Sequence, residues 1–412
     1  MGFSKFVAGL ALGASFAFSP ALAADLTINA DASEPSLRKA WEGIVEGFRK
    51  ENPGTNVKLN IYDRESYKRS IRNWLTAQSP DVVFWYAGTR MRQFSKPGLL
   101  EDVSEIYTPQ AKQEFGPVAT ELMSDGAKQF GVPHSYYQWG FFYRKDLFQK
   151  AGIAEAPKTW NDLLAACDKL KAAGVEPITI GSKDGWPTAG WFDYINLRTN
   201  GLKFHQELMG GTVPYTDARV KAVFANWKQL LDKGCFMRNH GTMSWQDSQA
   251  PLYQGRAGMM LMGNFITGNF PANVAETMDF FRFPEINPAA GKAEDAPMDA
   301  LLVPAKAQNK ADAKKFLAYV MRPDVQTTLA AGTRQIPVNQ KASVPDDRFL
   351  KAGQDLLRSA DGLAQFFDRD TSEDLATVGM KGFQEFMANP DRLDRVLEDI
   401  ERARKRIYAN AN

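Results

Sequence analysis

Histidine and cysteine are scarce in this 412-residue chain, which contains three histidines and two cysteines. His134, His205 and His240 stand far apart, and none has a second histidine or a cysteine at the spacing of a metal site. We therefore expect neither a metal site nor a bound cofactor. Cys167 and Cys235 are too few for a disulfide framework, and the sequence alone does not establish whether they pair.

The chain also lacks clustered charge of one sign. Its 50 basic and 48 acidic residues give a formal net charge of +2. No long run of lysine and arginine precedes residues 402–406, which stand at the end of a predicted helix, where basic side chains favour the helix dipole. A nucleic-acid partner requires a basic face, so this composition argues against one.

Long apolar runs are absent beyond residues 1–23. Within that segment Lys5 precedes an apolar run over residues 6–18, Pro20 interrupts it, and residues 21–23 have the small-x-small form of a cleavage site. A membrane anchor requires about 20 uninterrupted apolar residues, so the pattern predicts a secretory signal peptide over residues 1–23. No cysteine at the cleavage site offers a lipid attachment point, and we expect a soluble periplasmic protein without a lipid anchor.

What the chain does contain is an alternation of strand and helix patterns. Its length exceeds what one core usually serves, so we expect about two domains. Strand patterns at residues 26–29, 56–62 and 82–86 are separated by helix patterns at residues 35–50 and 67–77. This order predicts a parallel sheet with helices on both sides.

In such a sheet, ligands bind at the carboxyl ends of the strands. The candidates at these ends are Asp31, Glu34, Asp63, Arg64, Trp85, Tyr86 and Arg90. Carboxylates that accept hydrogen bonds from hydroxyl groups, together with aromatic faces that pack on C–H bonds, suit a sugar. Packing of Trp85 and Tyr86 in the core is an equally good reading.

Aromatic residues, 12% of the chain, supply further candidates. Residues 131–148 hold Tyr136, Tyr137 and Gln138, which form either core or the wall of a cleft between domains. A glycine-rich segment carries Trp186, Trp191 and Asp193, and we interpret it as a turn facing a cleft rather than a packed corner. Trp245 is another candidate for the same cleft.

Several segments together resemble a known family. The segments Phe-Tyr-Arg-Lys-Asp-Leu-Phe-Gln-Lys-Ala-Gly-Ile at residues 142–153 and Pro-Lys-Thr-Trp-Asn-Asp-Leu at residues 157–163 are similar to the pattern of extracellular solute-binding proteins of family 1. These are receptors of bacterial ABC sugar importers, related to the maltose-binding protein. Residues 80–82 and 257–265 also fit, although position 265 is Phe where the family commonly has Trp.

The resemblance implies an α/β fold with two lobes, each a mostly parallel sheet flanked by helices, that close on a ligand by hinge bending. It implies about three crossings between the lobes, which we place near residues 131–135, 263–283 and 333–337. The predicted first lobe comprises residues 24–132 and 280–334, and the second comprises residues 133–279 and 335–412. Asn264 and Asp299 are added as cleft candidates.

The function implied by the resemblance is that of a periplasmic receptor. It would capture a mono- or oligosaccharide, or a sugar glycoside, act as a monomer and deliver the ligand to ABC permease subunits in the membrane. A secreted carbohydrate-active hydrolase is the alternative, because paired carboxylates and an aromatic cleft suit that chemistry too. A binding protein for an acidic or sulfonated sugar is another, because Arg64, Arg90 and Arg334 are available for an anion.

Overall fold

A computed structural model describes Met1 and residues 25–409 of the protein. The predicted signal peptide, residues 1–23, falls almost wholly outside these residues. None of the helices in the described part is both long enough and apolar enough to cross a membrane.

Strands and helices alternate along the described chain. The strands are β1 Leu26–Ala30, β2 Val57–Ile61, β3 Val82–Tyr86, β4 Ser124–Asp125, β5 Lys128–Gln129, β6 Gly131–Tyr136, β7 Trp139–Arg144, β8 Glu176–Ile178, β9 Ala257–Gly263, β10 Met278–Phe281, β11 Glu294–Asp295, β12 Met298–Leu302 and β13 Leu363–Ala364. The helices are α1 Pro35–Glu51, α2 Arg64–Thr76, α3 Thr89–Ser95, α4 Pro109–Leu122, α5 Lys145–Lys150, α6 Trp160–Ala172, α7 Trp186–Met209, α8 Ala218–Asp232, α9 Gln249–Tyr253, α10 Ala272–Ala275, α11 Lys310–Met321, α12 Pro323–Thr333, α13 Arg348–Arg358, α14 Phe367–Asp370, α15 Glu373–Ala388 and α16 Leu393–Tyr408. The predicted α/β class is confirmed.

The first sheet has the strand order β2-β1-β3-β12-β6. Strand β1 pairs in parallel with β2 and β3, whereas β12 runs antiparallel to both β3 and β6. All five residues of β3 are buried, as its continuous apolar sequence predicts for a central strand. Helix α1 covers this sheet with one apolar face, formed by Trp41, Ile44, Val45 and Phe48. We call this sheet and its core the first lobe.

The second sheet has the strand order β10-β7-β9-β8 and packs in a separate core. Strand β9 is buried along its whole length between β7 and β8. Helix α7 crosses this core and contacts α8 and α15, and α15 packs on α16. We call this sheet and its core the second lobe.

Strand direction differs from the prediction in both sheets. We expected mostly parallel strands, but β7 is antiparallel to both of its neighbours, and β12 enters the first sheet antiparallel. A β-α-β connection makes two strands of one sheet parallel. A strand that enters the sheet from the other lobe has no such connection, so it can run antiparallel. The early β-α-β-α-β segment has the parallel pairing that its sequence indicates, and in the second sheet β8 pairs in parallel with β9.

The return to the first lobe also comes later than expected. Residues 280–283 were placed in the first lobe, but Phe280 and Phe281 lie in β10 and pair with β7 of the second sheet. Phe283 packs in the same core. The chain rejoins the first sheet only at β12, because the aromatic side chains of residues 280–283 are complementary to the apolar face of β7. Residues 133–136 were placed in the second lobe, but they lie in β6 and pair with β12 of the first sheet. The predicted lobe boundaries otherwise stay a prediction.

Candidate functional site

One edge of the first sheet collects polar and aromatic side chains. Asp31 follows β1, Arg64 begins α2 just after β2, and Tyr86 ends β3. Asp299 pairs with Tyr86 in the ladder of β12 and β3, so the antiparallel strand β12 starts at this edge. Tyr137 follows the last residue of β6 at the same edge. These five residues therefore meet where the carboxyl ends of the parallel strands converge.

The second lobe presents an aromatic wall to this edge. The ring of Trp139 lies 4.7 Å from that of Phe366 and 5.9 Å from that of Trp186, measured between centroids. Phe265 contacts Tyr137 edge to face with centroids 5.3 Å apart. Trp139 begins β7 and Trp186 begins α7, so two well-packed elements fix the wall.

Two adjoining cavities lie at this edge. The aromatic cavity separates the edge from the wall, whereas the carboxylate cavity has no wall residue in its lining. The aromatic cavity is lined by Arg64, Lys68, Tyr86, Tyr137, Trp139, Trp186, Phe265, Pro297, Phe366, Asp368 and Arg369. The carboxylate cavity is lined by Asp31, Ala32, Leu37, Trp41, Arg64, Phe84, Trp85, Tyr86, His134, Asp299 and Gln335. The volume available to water is about 20 Å³ in the aromatic cavity and about 30 Å³ in the carboxylate cavity. The lobes are therefore closed on each other, with room for about one or two waters in each cavity.

Arg369, on the short helix α14, connects the two sides. Its Nη1 donates to Asp299 Oδ1 at 2.8 Å and its Nη2 donates to the Tyr137 hydroxyl at 2.8 Å. Its guanidinium lies 4.1 Å from the centre of the Tyr86 ring, where a cation is attracted to the π face. Burial opposes the charge, but Asp299 raises the pKa of Arg369, so this side chain stays cationic.

Other charged pairs join the lobes around Arg369. Lys68 of α2 lies 3.5 Å from Asp368 Oδ2, and Arg90 of α3 donates to the Asp368 carbonyl at 3.0 Å. Closer to solvent, Arg72 Nη2 lies 3.0 Å from Glu373 Oε2. In each pair the cation comes from the first lobe and the oxygen from the second.

Asp31 and Arg64 have unusual environments. Burial raises the pKa of Asp31 to about 6, Arg64 opposes that shift, and Asp299 adds to it. The nearest approach of the Arg64 guanidinium to a carboxylate is 3.7 Å, from Nη1 to Asp31 Oδ2. Within residues 25–409 this guanidinium makes no shorter polar contact, although it lines both cavities. Its donors are therefore available to a ligand.

Several buried polar atoms at this site have no protein partner. Within the described residues, the indole N–H groups of Trp139 and Trp186, both ring nitrogens of His134 and both carboxylate oxygens of Glu34 have no hydrogen-bond partner. Burial lowers the pKa of His134 to about 4, so its imidazole is neutral at neutral pH. Because buried polar groups are normally paired, these atoms indicate a site that is completed by a polar ligand or by water.

The structure brings together part of the predicted site. The predicted residues that line the two cavities are Asp31, Arg64, Trp85, Tyr86, Tyr137, Trp186 and Asp299. Glu34 lies close to Asp31 and raises its pKa.

Four predicted residues of the first lobe and its connections have other partners and line neither cavity. Asp63 caps α2 by accepting from the Ser66 N–H at 2.9 Å. Arg90 bonds the Asp368 carbonyl, and the backbone of Tyr136 pairs with that of Ile336. Gln138 is fully buried and donates to the Phe349 carbonyl at 3.0 Å.

The remaining predicted residues lie in or near the core of the second lobe. The predicted turn at residues 186–193 is the start of α7, so Trp191 and Asp193 face the interior instead of the cavities. Trp245 packs behind the wall with its ring 5.6 Å from Trp186. Asn264 donates to the carbonyl of Arg334 at 2.6 Å.

The main residues that the sequence analysis missed are Lys68, Phe366, Asp368 and Arg369, which all line the aromatic cavity. Lys68 follows Arg64 by one helical turn of α2, a spacing visible in the sequence once the helix start is placed at Arg64 rather than at Tyr67. The others come from a C-terminal segment whose aromatic and charged composition gave no periodic signal. No three His, Cys, Asp or Glu side chains in the described region are grouped to hold a metal ion.

Comparisons with known proteins identify the family of this chain. Residues 31–327 match the family described as bacterial extracellular solute-binding protein. An uncharacterized ABC transporter extracellular-binding protein of Pyrococcus horikoshii is 25% identical over 312 residues, 74% of this chain and 69% of the relative. The sn-glycerol-3-phosphate-binding periplasmic protein UgpB of Escherichia coli is 25% identical over 374 residues, 84% of this chain and 78% of that protein.

A solved structure is also similar over nearly the whole chain. The bacterial solute receptor AcbH, which is described as having an exclusive preference for β-D-galactopyranose, superimposes with a TM-score of 0.89 at 29% sequence identity. The match covers 93% of this chain and 99% of that chain.

Proposed function

The chain belongs to the bacterial extracellular solute-binding protein family, and on this premise we propose that it captures a sugar between its two lobes. The ligand is a mono- or oligosaccharide or a sugar glycoside, and the protein acts as a monomer in the periplasm. It delivers the ligand to the permease subunits of an ABC importer. The observation that carries the proposal is the aromatic wall of the second lobe facing a charged sheet edge across cavities with unpartnered polar atoms.

The chemistry of this site suits a carbohydrate. Each sugar hydroxyl donates one hydrogen bond and accepts others. Asp31 and Asp299 supply acceptors, Arg64 and Lys68 supply donors, and the indole of Trp186 supplies a face for the C–H side of a sugar ring. The preference of AcbH for β-D-galactopyranose supports this ligand class.

The charges around the cavities favour a neutral ligand. Three cationic side chains, Arg64, Lys68 and Arg369, face three carboxylates, Asp31, Asp299 and Asp368. With all six ionised the formal charges cancel. A neutral polyhydroxyl compound then makes charge-assisted hydrogen bonds without adding an uncompensated buried charge.

Capture occurs by closure of the two lobes. A ligand that contacts both the sheet edge and the aromatic wall binds the closed form more tightly than the open form, so it shifts the population toward closure. The closed form is the one that docks on the permease. Since the cavities hold only about one or two waters each, the lobes separate to admit the sugar and settle at a slightly wider spacing around it.

The test is a calorimetric titration with a panel of neutral compounds. It contains galactose, raffinose, xylo-oligosaccharides, chitin oligosaccharides and mannitol. We expect one class to bind with a micromolar or lower Kd, and Trp186→Ala to weaken that binding at least tenfold. Absence of binding to every carbohydrate would contradict the proposal, and release of shorter sugars during overnight incubation would favour a hydrolase instead.

A sugar that carries an acidic group is a second candidate. The guanidinium of Arg64 has free donors, and protonation of Asp31, whose pKa is about 6, leaves the site with a net positive charge. The similarity to UgpB is consistent with this candidate. Uronic acids and glycerol phosphate therefore belong in the titration panel, and preference for them over the neutral sugars would decide for this candidate.

We predict that acid favours closure in the absence of ligand. Burial raises the pKa of Asp31 and of Asp370 to about 6, against an ordinary value of 3.8 for Asp31. The closed form therefore binds protons more tightly than an open form in which these carboxyls meet solvent. By linkage, lowering the pH from 7.5 to 5 should increase the closed-to-open ratio about tenfold for each group.

Small-angle scattering of ligand-free protein at the two pH values measures this ratio. Asp31→Asn should reduce the pH dependence, and the double variant Asp31→Asn/Asp370→Asn should remove it. An undiminished pH dependence in the double variant would show that other groups are responsible.

We also predict a small contribution from the outer charge pair. Glu373→Gln removes the charge that faces Arg72 at 3.0 Å and Arg90 at 3.8 Å between the lobes. Since Arg72 and Glu373 are largely exposed, the loss of their pair is at most about 1 kcal/mol. Ligand affinity should fall about two- to fivefold, mainly through faster dissociation. The matched control is Glu385→Gln, whose partner Arg392 lies in the same lobe. An equal loss of affinity in the control would argue against a role in closure.

A further inference from the structure

The two cysteines lie in adjoining segments of the second lobe. Cys167 is on α6 and Cys235 follows α8, and both are fully buried in the same core. The backbone of Cys235 is held from both sides, because its N–H donates to Leu230 and its carbonyl accepts from the Ile178 N–H, each at 2.9 Å. Neither thiol belongs to the ligand site.

Contacts beside the cysteines bring the two segments together. Lys233 Nζ lies 2.6 Å from Asp168 Oδ2, one residue beyond Cys167. Lys171, on the same face of α6 one turn later, donates to the Lys233 carbonyl. Both thiols are free in the structure and buried beside these anchored neighbours, and Cys235 raises the pKa of the Cys167 thiol.

We propose that Cys167 and Cys235 form a disulfide bond in the exported protein. Proteins of this family act outside the cytoplasm, where disulfides form and persist. The contacts of Lys233 with Asp168 and Lys171 hold the two segments together one residue from Cys167 and two residues from Cys235.

The oxidant is a protein or small-molecule disulfide of the exporting compartment. The thiolate of one cysteine attacks a sulfur of that disulfide, which releases one thiol and leaves a mixed disulfide. The thiolate of the second cysteine then attacks the cysteine sulfur of the mixed disulfide and releases the second thiol. The two protons lost by the cysteines go to the two released thiols, and the oxidant takes up two electrons.

The exchange takes place before the second lobe is fully packed. In the folded protein the contact with Cys235 raises the pKa of Cys167, and burial raises it further, so little thiolate is present and the oxidant has no access. The disulfide closes a loop that contains α7 and α8, the helices of the lobe core. Closing a loop of this size restricts the unfolded chain and thereby stabilises the folded state. The melting temperature of the oxidised protein should therefore exceed that of the reduced protein by about 10 °C.

The test uses the full chain exported to a bacterial periplasm and purified without reductant. The protein is denatured, treated with iodoacetamide and weighed by mass spectrometry. We expect no alkylation without reductant and two alkylated cysteines after reduction, and peptide mapping should find Cys167 and Cys235 in one linked peptide. Two alkylated cysteines without reductant, or a linked peptide that joins two copies of the same cysteine, would overturn the proposal.

Thermal unfolding gives a second measurement. Reductant should lower the melting temperature of the wild type but not that of Cys167→Ala/Cys235→Ala. An equal shift in both proteins, or no shift in the wild type, would contradict the proposal. If the double variant does not fold, the alkylation of the wild type decides alone, and neither measurement depends on the identity of the transported solute.

Discussion

Replacing Arg369 by alanine is expected to weaken ligand binding about 100-fold or more. The guanidinium makes two charge-assisted hydrogen bonds, to Asp299 and to the Tyr137 hydroxyl, and lies on the face of Tyr86. Arg369 belongs to the second lobe, and it holds Asp299, Tyr137 and Tyr86 in place at the edge of the first sheet. Its removal costs the ligand a buried donor and leaves the Asp299 carboxylate unpaired, a loss of about 3 kcal/mol or more.

Calorimetric titration of the variant with the preferred sugar measures the loss. Arg369→Lys keeps the charge but not the planar guanidinium that reaches two acceptors. Its affinity should therefore lie between those of the wild type and Arg369→Ala. Arg348→Ala is the control, since Arg348 also makes two guanidinium hydrogen bonds, to the backbone carbonyls of Ala275 and Met278, but lines neither cavity. Folded Arg369→Ala protein with unchanged affinity would remove Arg369 from the site.

Glu294→Ala should cause the largest loss of stability. Glu294 is fully buried, with Arg198 Nη2 at 2.6 Å and Arg282 Nε at 3.0 Å from the same oxygen, while Tyr194 donates to the other at 3.1 Å. Removing the carboxylate leaves the buried Arg198 guanidinium without its counter-charge. Breaking a buried pair in this way costs about 3–5 kcal/mol.

Urea and thermal unfolding should show this loss, with a melting temperature roughly 10 °C lower. Glu155→Gln is the matched control, because its pair with Lys158 is exposed, and its melting temperature should stay within about 1 °C of the wild type. Equal melting temperatures for Glu294→Ala and the wild type would show that the ion cluster does not stabilise the second lobe.

The first lobe could be predicted well because its information is local. Asp31 directly follows β1, Arg64 begins the helix after β2 and Tyr86 is the last residue of β3, and the β-α-β order places those strand ends together. Asp31, Arg64 and Tyr86 were predicted in this way, and all three line the cavities. The family resemblance read from residues 142–163 is confirmed, since it rests on a continuous sequence pattern.

The second lobe was harder to predict because its site residues are brought in by tertiary packing. Asp368 and Arg369 belong to a helix of four residues, which is too short for a periodic pattern. They reach the cavity because Asp193 of α7 accepts a hydrogen bond at 2.8 Å from the Phe367 N–H and so fixes the start of α14. No sequence pattern links positions 193 and 367.

The segment at residues 186–193 shows how composition can mislead. Its glycines and aromatic residues were read as a turn, yet Pro187 lies in the first turn of a helix, a position that proline favours. Helical geometry then directs Trp186 to the cavity and Trp191 to the core, where its ring lies 4.9 Å from that of Phe236. The helical periodicity of residues 186–193 therefore determines that Trp186, and not Trp191, faces the cavity.

The central claim is that a sugar closes the two lobes around the site between them, and small-angle scattering during titration tests it most directly. The account predicts that the radius of gyration of the wild type falls as the preferred sugar is added, along the same saturation curve that calorimetry gives. At saturation the scattering should fit closed lobes that are only slightly farther apart than in the arrangement described for residues 25–409. Unchanged scattering at a sugar concentration that calorimetry shows to be saturating would contradict it.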